Sequence, residues 1–325
     1  MKRIQESAFP VIARSHPGST GKNNEDRFAV SAFVSEKHPH IPVLIAVISD
    51  GIGGHRGGEI AAEMAVNHVT DFLSQEDINT PQKSLGESIQ YASNRIFQEA
   101  ESENGIRGMG ATVAAAWIIG KRLYTSHVGD SRIFLIRDHQ IHQLSLDHSW
   151  VQEAMDMGII TEEEAKRHPN AHVIRRYLGS PQAPDVDQRM YLNHKESDAV
   201  ALLNQGFTLM PDDRILLTTD GITDLIPNKD LLMLFENGDI EEAVSQTIEM
   251  ANERGGFDNL SIIAVEIPPQ NLISNWFSAY WAKILLILTL VLLILLFGSL
   301  LWILKLSSLS DMIGFNPFHF FAHFL

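Results

Sequence analysis

Short apolar runs of five to nine residues recur through the first 267 positions, each bounded by Gly, Asp or Asn. They are Val43–Ser49, Ala111–Ile119, Leu123–Val128, Arg132–Ile136, Arg214–Thr219 and Leu260–Ile267, and their β-branched content predicts strands. Between them the apolar positions recur at helical spacing. Ile60, Met64, Ala65, His68, Val69, Phe72 and Leu73 share one face of a helix that starts near Gly58, and Ser88–Glu101 and Ile240–Glu253 repeat that spacing. No internal repeat or low-complexity tract interrupts the series. The pattern predicts an α+β domain of roughly 265 residues.

A different pattern follows. Ile284–Leu304 is 21 residues without a charge, about 31 Å as a helix, which matches the hydrocarbon thickness of a bilayer. Trp276, Tyr280 and Trp281 precede it and Trp302 lies at its far end, as expected of interfacial anchors. Pro268-Pro269-Gln270-Asn271 reads as the break before it. The expected organisation is a globular domain over 1–268, a linker and interface segment over 269–283, a transmembrane helix over 284–304 and a short aromatic tail over 305–325. Lys283 and Lys305 leave the flanking charges tied. The first residues carry no apolar run of signal-peptide length, so the large domain is expected in the cytoplasm.

Charge and composition narrow the chemistry. A formal net charge of -15 disfavours a nucleic-acid partner. The chain has no cysteine, which excludes disulfides, thiolate metal sites and a cysteine nucleophile.

What remains conspicuous is where acidic residues stand. Asp50-Gly51 closes VLIAVIS, Asp220-Gly221 closes ILLTT, Asp258-Asn259 precedes LSIIAVEI, Asp130 sits in HVGDSR between two strand-like runs, and Asn23-Asn24-Glu25-Asp26 precedes RFAVSAF. Each alone is an ordinary turn or cap. Gathered at strand ends, however, carboxylates repel unless cations hold them. Oxygen-only ligands suit hard divalent ions such as Mg²⁺ or Mn²⁺, and a pair of these orients a phosphate and generates hydroxide. The residues therefore point to a two-metal phosphoesterase of unspecified substrate.

Seven segments, NNEDRF (23–28), SDGIGGHRGGEIAAEMA (49–65), GMGATVAAA (108–116), HVGDSRIFLI (127–136), LSLDHS (144–149), TTDGITDLI (218–226) and GGFDNLSIIAVEI (255–267), occur in an order and spacing that resemble the PPM, or type 2C, family of metal-dependent serine/threonine protein phosphatases, in its bacterial form. The resemblance covers about residues 8–267. It implies a four-layer α-β-β-α sandwich of two antiparallel sheets flanked by helices, holding two Mn²⁺ or Mg²⁺ ions and a third, weaker one. By the same resemblance Asp50 bridges the two core metals, Gly51 offers a backbone carbonyl, and Asp220 and Asp258 complete the second metal's ligands. Glu25 and Asp26 act through metal-bound water, Asp130 with Asp220 holds the third metal, and Asn259 supports the ligands from behind. The implied reaction is direct attack of a metal-activated water on a protein phosphoserine or phosphothreonine.

Two positions depart from the family pattern. Where an arginine commonly grips the phosphate, this chain has Gly21, leaving Lys22, Arg14 or Arg27 as candidates; Lys22 is the nearest in sequence. Where some members carry a histidine two residues after the bridging aspartate, Ile52 stands, and His55 is a candidate replacement. His127, His148, His168 and His172 show no metal-ligand spacing and read as core, loop or surface residues. Residues 149–189 match the family's flap. The alternative reading is a catalytically inactive, membrane-anchored module that binds phosphoproteins. Anchoring raises the local concentration toward membrane-bound targets, so the expected partners include a membrane-associated kinase and that kinase's substrates.

Overall fold

The computed structural model describes residues 1–313 except 53–56, 104, 194 and 237, with the backbone alone described for 270–280 and 303–313. Its first unit, Met1–Gln270, is built on two antiparallel sheets. Six strands of the first run in the order Lys2–Ile4, Arg27–Val34, Pro42–Ser49, Val113–Ile119, Arg122–Val128, Phe207–Thr208. Five strands of the second run in the order Gln140–Gln143, Arg132–Arg137, Arg214–Thr218, Leu260–Glu266, Val11–His16. A ribbon of Gly51–Ile52 against Gly110–Ala111 continues the first sheet past its strand ends.

The apolar runs are continuous because the central strands are covered on both faces. Along Pro42–Ser49 every residue is buried. Val43, Ile45 and Val47 join the core under helices Gly58–Gln75 and Pro81–Ala100. Their alternates Leu44, Ala46 and Ile48 lie on the opposite face, toward the second sheet. In that sheet Phe134, Leu216, Ile262 and Ala264 pack under Asn228–Glu236 and Ile240–Glu253. The result is the four layers, helix, sheet, sheet, helix, implied by the resemblance.

Strand register gathers the acidic residues. Arg27 pairs with Ser49, so Asp26 and Asp50 finish side by side. Ile48 opposite Ala114 and Val113 opposite Val128 bring Thr112 and Gly129-Asp130 to the same end. Thr218 pairs with both Ile262 and Arg132, and Leu260 with His16, which adds Asp220 and Asp258 from the second sheet.

Two expectations change in this unit. The run Ala111–Ile119 is two strands broken at Thr112, whose backbone turns to bond Asp50. The helix from Gly58 is rotated from the expected face. Its buried face is Ala61, Ala62, Ala65, Val66, Val69 and Leu73, while Ile60 is 41% exposed and Met64 and His68 only half-buried. Alanines at the centre let this helix sit close to the sheet and to Pro81–Ala100, and the larger His68 and Phe72 flank the seam against Tyr91. The flap holds two short helices, Trp150–Asp156 and Glu162–Ala165, capped by Ser149 and Thr161.

The second unit begins at Asn271. The helix Gln270–Ile313 starts inside the segment read as a linker and runs beyond Leu304 into the tail. Its apolar stretch, Trp281–Trp302, spans 22 residues with a mean hydropathy of 3.1 and no burial. Trp281 and Trp302 stand at the two ends of that stretch. The side chains of Trp276 and Tyr280, and residues 314–325, lie outside the described residues.

Candidate metal centre

Asp50 leaves the end of its strand held through its backbone. Its N–H donates to Thr112 Oγ1 at 2.9 Å, and its carbonyl accepts from Thr112 N–H at 2.8 Å. Thr112 Oγ1 also meets Ser131 Oγ at 2.7 Å, so one threonine ties the Asp50 and Asp130 turns together. Gly51 must lack a side chain, because a Cβ there would lie 2.2 Å from the Gly58 carbonyl oxygen. A Cβ on Gly58 would in turn lie 2.2 Å from Glu25 Oε2, so both glycines let backbone and carboxylate approach closely.

On the facing side, Thr219 Oγ1 donates to Asp26 Oδ2 at 2.9 Å and accepts from Ser261 N–H at 3.1 Å. Asn259 organises the neighbouring loop. Its Oδ1 accepts from Glu25 N–H at 2.8 Å, and its amide donates to the carbonyls of Pro17 and Asn23. Asp258 is exposed, and its Oδ1 accepts from Asn259 N–H at 2.9 Å.

The carboxylates strain against one another. Burial, then the charges of Asp220, Asp26 and Asp130, holds the Asp50 carboxyl well above its usual range, and its carboxylate is within hydrogen-bonding reach of Asp220. Asp130 is raised by burial and then by Asp220, and Asp220 by burial and then by Asp258. Asp26 is pushed up to about 7 by burial, against the hydrogen bonds of Ser261 and Thr219. Glu25 rises too, from burial and then Glu59 and Asp258. Among the described residues, six buried side-chain atoms lack a hydrogen-bond partner, and three of them are Asp26 Oδ1, Asp130 Oδ1 and Asp220 Oδ1. Charged acceptors left bare in a buried site are costly. An oxygen-only set of this kind fits hard divalent cations, which would satisfy the bare oxygens and relieve the repulsion together.

Sequence reasoning missed several neighbours. Asp224, one helical turn beyond Asp220, is raised to about 6 by burial and by Asp220. From the flap, His172 Nδ1 reaches Asp224 Oδ2 at 3.2 Å, and His172, Asp220 and Asp224 each offer an atom within 4.8 Å of the others. His127 and His148 are not scattered either: their rings stack 4.7 Å apart beside Asp187. The two arginine candidates for gripping phosphate are engaged with other partners. Arg14 lies on the helix-facing side of its strand and pairs with Glu241 at 2.9 Å, and Arg27 braces the carbonyls of Asn24 and Asp26 at 2.8 Å. Lys22 is exposed, and its charge pulls down on the Glu25 carboxyl. His55 lies outside the described residues.

Known proteins share this fold. A serine/threonine phosphatase of Streptococcus agalactiae superposes with a TM-score of 0.67 at 28% identity, over 80% of this chain and 99% of that one. The catalytic domain of the phosphatase PstP, solved with 2 manganese ions, superposes with a TM-score of 0.64 at 27% identity, over 80% of this chain and 98% of that one. The serine/threonine phosphatase stp of Listeria monocytogenes is 31% identical over 261 residues, 78% of this chain and 94% of that protein. An antiparallel double sheet with carboxylates massed at one end thus defines a phosphatase of the metal-dependent class. The protein phosphatase 2C family model matches residues 14–261. The chain belongs to the protein phosphatase 2C family, in its bacterial form.

Proposed function

We propose that this chain hydrolyses phosphoserine and phosphothreonine in proteins, using two Mn²⁺ or Mg²⁺ ions and a third, weaker one. Asp50 would bridge the core pair with the Gly51 carbonyl beside it, Asp220 and Asp258 would hold the second ion, and Glu25 and Asp26 would act through water. Asp130 and Asp220 would hold the third. Bound there, such ions supply a water activated for attack on phosphorus and balance charge on the phosphoryl oxygens. The chain's own part is to hold the geometry: Thr112 fixes Asp50, Thr219 orients Asp26, and Asn259 fixes the Glu25 loop. Lys22, exposed near Glu25, would meet the incoming phosphate as a point charge.

The observation that carries this reading is the trio of bare oxygens on Asp26, Asp130 and Asp220. The manganese pair in PstP points the same way. The test is phosphate release from a phosphothreonine peptide by the full chain in detergent, with Mn²⁺ and then with EDTA. Activity is expected with Mn²⁺ and lost in EDTA. A folded, metal-loaded protein without activity would favour the phosphoprotein-binding module.

Trp281–Trp302 is long and apolar enough for one membrane span. The protein would then be single-pass, with the catalytic unit on the cytoplasmic side, where nucleoside triphosphates supply the phosphoryl groups it removes. Confinement there favours membrane-bound phosphoproteins, including a membrane-associated kinase and its targets. Deleting 276–325 is expected to move the protein from the membrane pellet to the supernatant and to slow dephosphorylation of such targets. A truncated chain that still pellets with membrane would exclude the span as its anchor.

A further inference from the structure

The segment LSLDHS supplies none of the metal-holding residues named above, yet it grips both sides of the Asp130 turn. Gly129 N–H donates to His148 Nδ1 at 3.1 Å, and Gly129 C=O accepts from His148 N–H at 2.9 Å. Both backbone polar groups of the residue before Asp130 are therefore held by one histidine. Gly129 itself has φ +107°, and a Cβ there would lie 2.6 Å from Thr112, so this turn has one tolerated shape. Two residues past Asp130, Arg132 is clamped by Asp147, with Nε–Oδ1 2.9 Å and Nη2–Oδ2 2.6 Å.

His148 is oriented in turn. Because Nδ1 accepts from Gly129, the ring proton belongs on Nε2, which faces Asp187 Oδ2 at 3.3 Å. Asp187 is fixed by the Arg189 guanidinium and by Arg189 N–H at 2.9 Å. The His127 ring covers His148 and bonds the Leu146 carbonyl at 2.7 Å. His127, His148 and Asp187 have the composition of a metal site. Their hydrogen bonds argue otherwise, since a cation on Nε2 would force a proton onto Nδ1 against the Gly129 N–H and would meet the Arg189 charge. The same histidine reaches the flap: its carbonyl accepts from Arg175 N–H at 2.7 Å, and Ser149 bridges to Ile174.

We propose that His148 is a positioning residue that sets the aim of Asp130 and links it to the flap, so that occupancy of the weakest metal position depends on this ring. The inference rests on Asp130 being a metal ligand. Residues that orient ligands commonly change metal affinity by about 10–100-fold when replaced.

The test uses the full chain in detergent and Mn²⁺ titrations followed by the ion's EPR signal, with melting temperature in EDTA as the fold control. In His148→Asn an oxygen takes the place of Nδ1 and can accept from Gly129; in His148→Gln it cannot. The glutamine variant is expected to lose the weakest class of bound Mn²⁺ by about tenfold or more in affinity, as Asp130→Ala does, and the asparagine variant to keep it. Adding Asp130→Ala to the glutamine variant should cost nothing further. Equal Mn²⁺ binding by the asparagine and glutamine variants, or failure of both to fold, would overturn the proposal. An Asp130→Ala protein that binds Mn²⁺ like the parent would show instead that the reading of Asp130 is at fault.

Discussion

Asp50→Asn is expected to lower phosphatase activity by at least about a thousandfold while raising the melting temperature of the metal-free protein. The two effects share one cause. The Asp50 carboxyl is buried against Asp220, Asp26 and Asp130, and its proton is held well above the usual range by that burial and those charges. Asparagine keeps the shape and the backbone bonds to Thr112 but removes a charge that, without cations, only repels. A domain of this size gains about 2–4 °C for each kcal/mol recovered, so the rise should be easily measured. Asp187→Asn is the matched control. That aspartate is also buried, but hydrogen bonds from His148 and Arg189 pull its carboxyl far below the usual range despite burial. Removing its charge leaves Arg189 with Asp198 as its remaining carboxylate and weakens the bonds to His148 and Arg189, and is expected to destabilise by about 1–3 kcal/mol. Equal and negative shifts in both variants would mean that the Asp50 carboxylate is not frustrated in the metal-free state.

That contrast also shows which parts of the site were legible in sequence. Asp50, Asp130, Asp220 and Asp258 could be read because each abuts a β-branched run and a Gly, Asn or Ser that ends it, and a strand end is a local feature. The partners that fix them could not. Thr112 sits inside what reads as an unbroken strand, Thr219 as one more residue of ILLTT, and His148 as a loop histidine. Their roles come from register across the two sheets, which pairs positions far apart in the chain. The α+β class was legible in the runs of strand and helix spacing, whereas the four-layer sandwich came from the family resemblance. The helix from Gly58 was misread because its large residues flank a seam while its alanines fill the centre. The flap helices, of 7 and 4 residues, are too short to show a period.

In the metal-free protein, stability is expected to fall as pH rises toward 7, the alkaline arm, and a divalent cation should abolish that fall and uncover an opposite acid arm. The alkaline arm comes from the acidic cluster. Asp26 has its folded pKa raised to about 7 from an ordinary 3.8. A raised carboxyl means the folded state holds the proton more tightly, so its stability is intact below the ordinary pKa and is lost as pH rises toward 7. Asp26 alone makes that loss on the order of 4 kcal/mol. The acid arm comes from His127, which burial and then the neighbouring His148 depress from 6.5 to about 4. A depressed histidine has the opposite sign, and on the order of 3 kcal/mol is lost as pH falls from 6.5 toward 4. Cations held by the cluster keep its carboxylates ionised in the folded state, so binding releases protons and stabilises more at higher pH. Melting curves from pH 4.5 to 8.5, in EDTA and in Mn²⁺, measure both arms. The expected result in EDTA is a curve that falls as pH rises toward 7, because several raised carboxyls outweigh one depressed histidine. In Mn²⁺ it is a plateau above about pH 6 with a fall below it. A metal-free melting temperature flat from pH 5 to 8 would mean the acidic residues do not face one another as charges. Loss of the acid arm of the Mn²⁺ curve in His127→Gln would tie that arm to the buried ring.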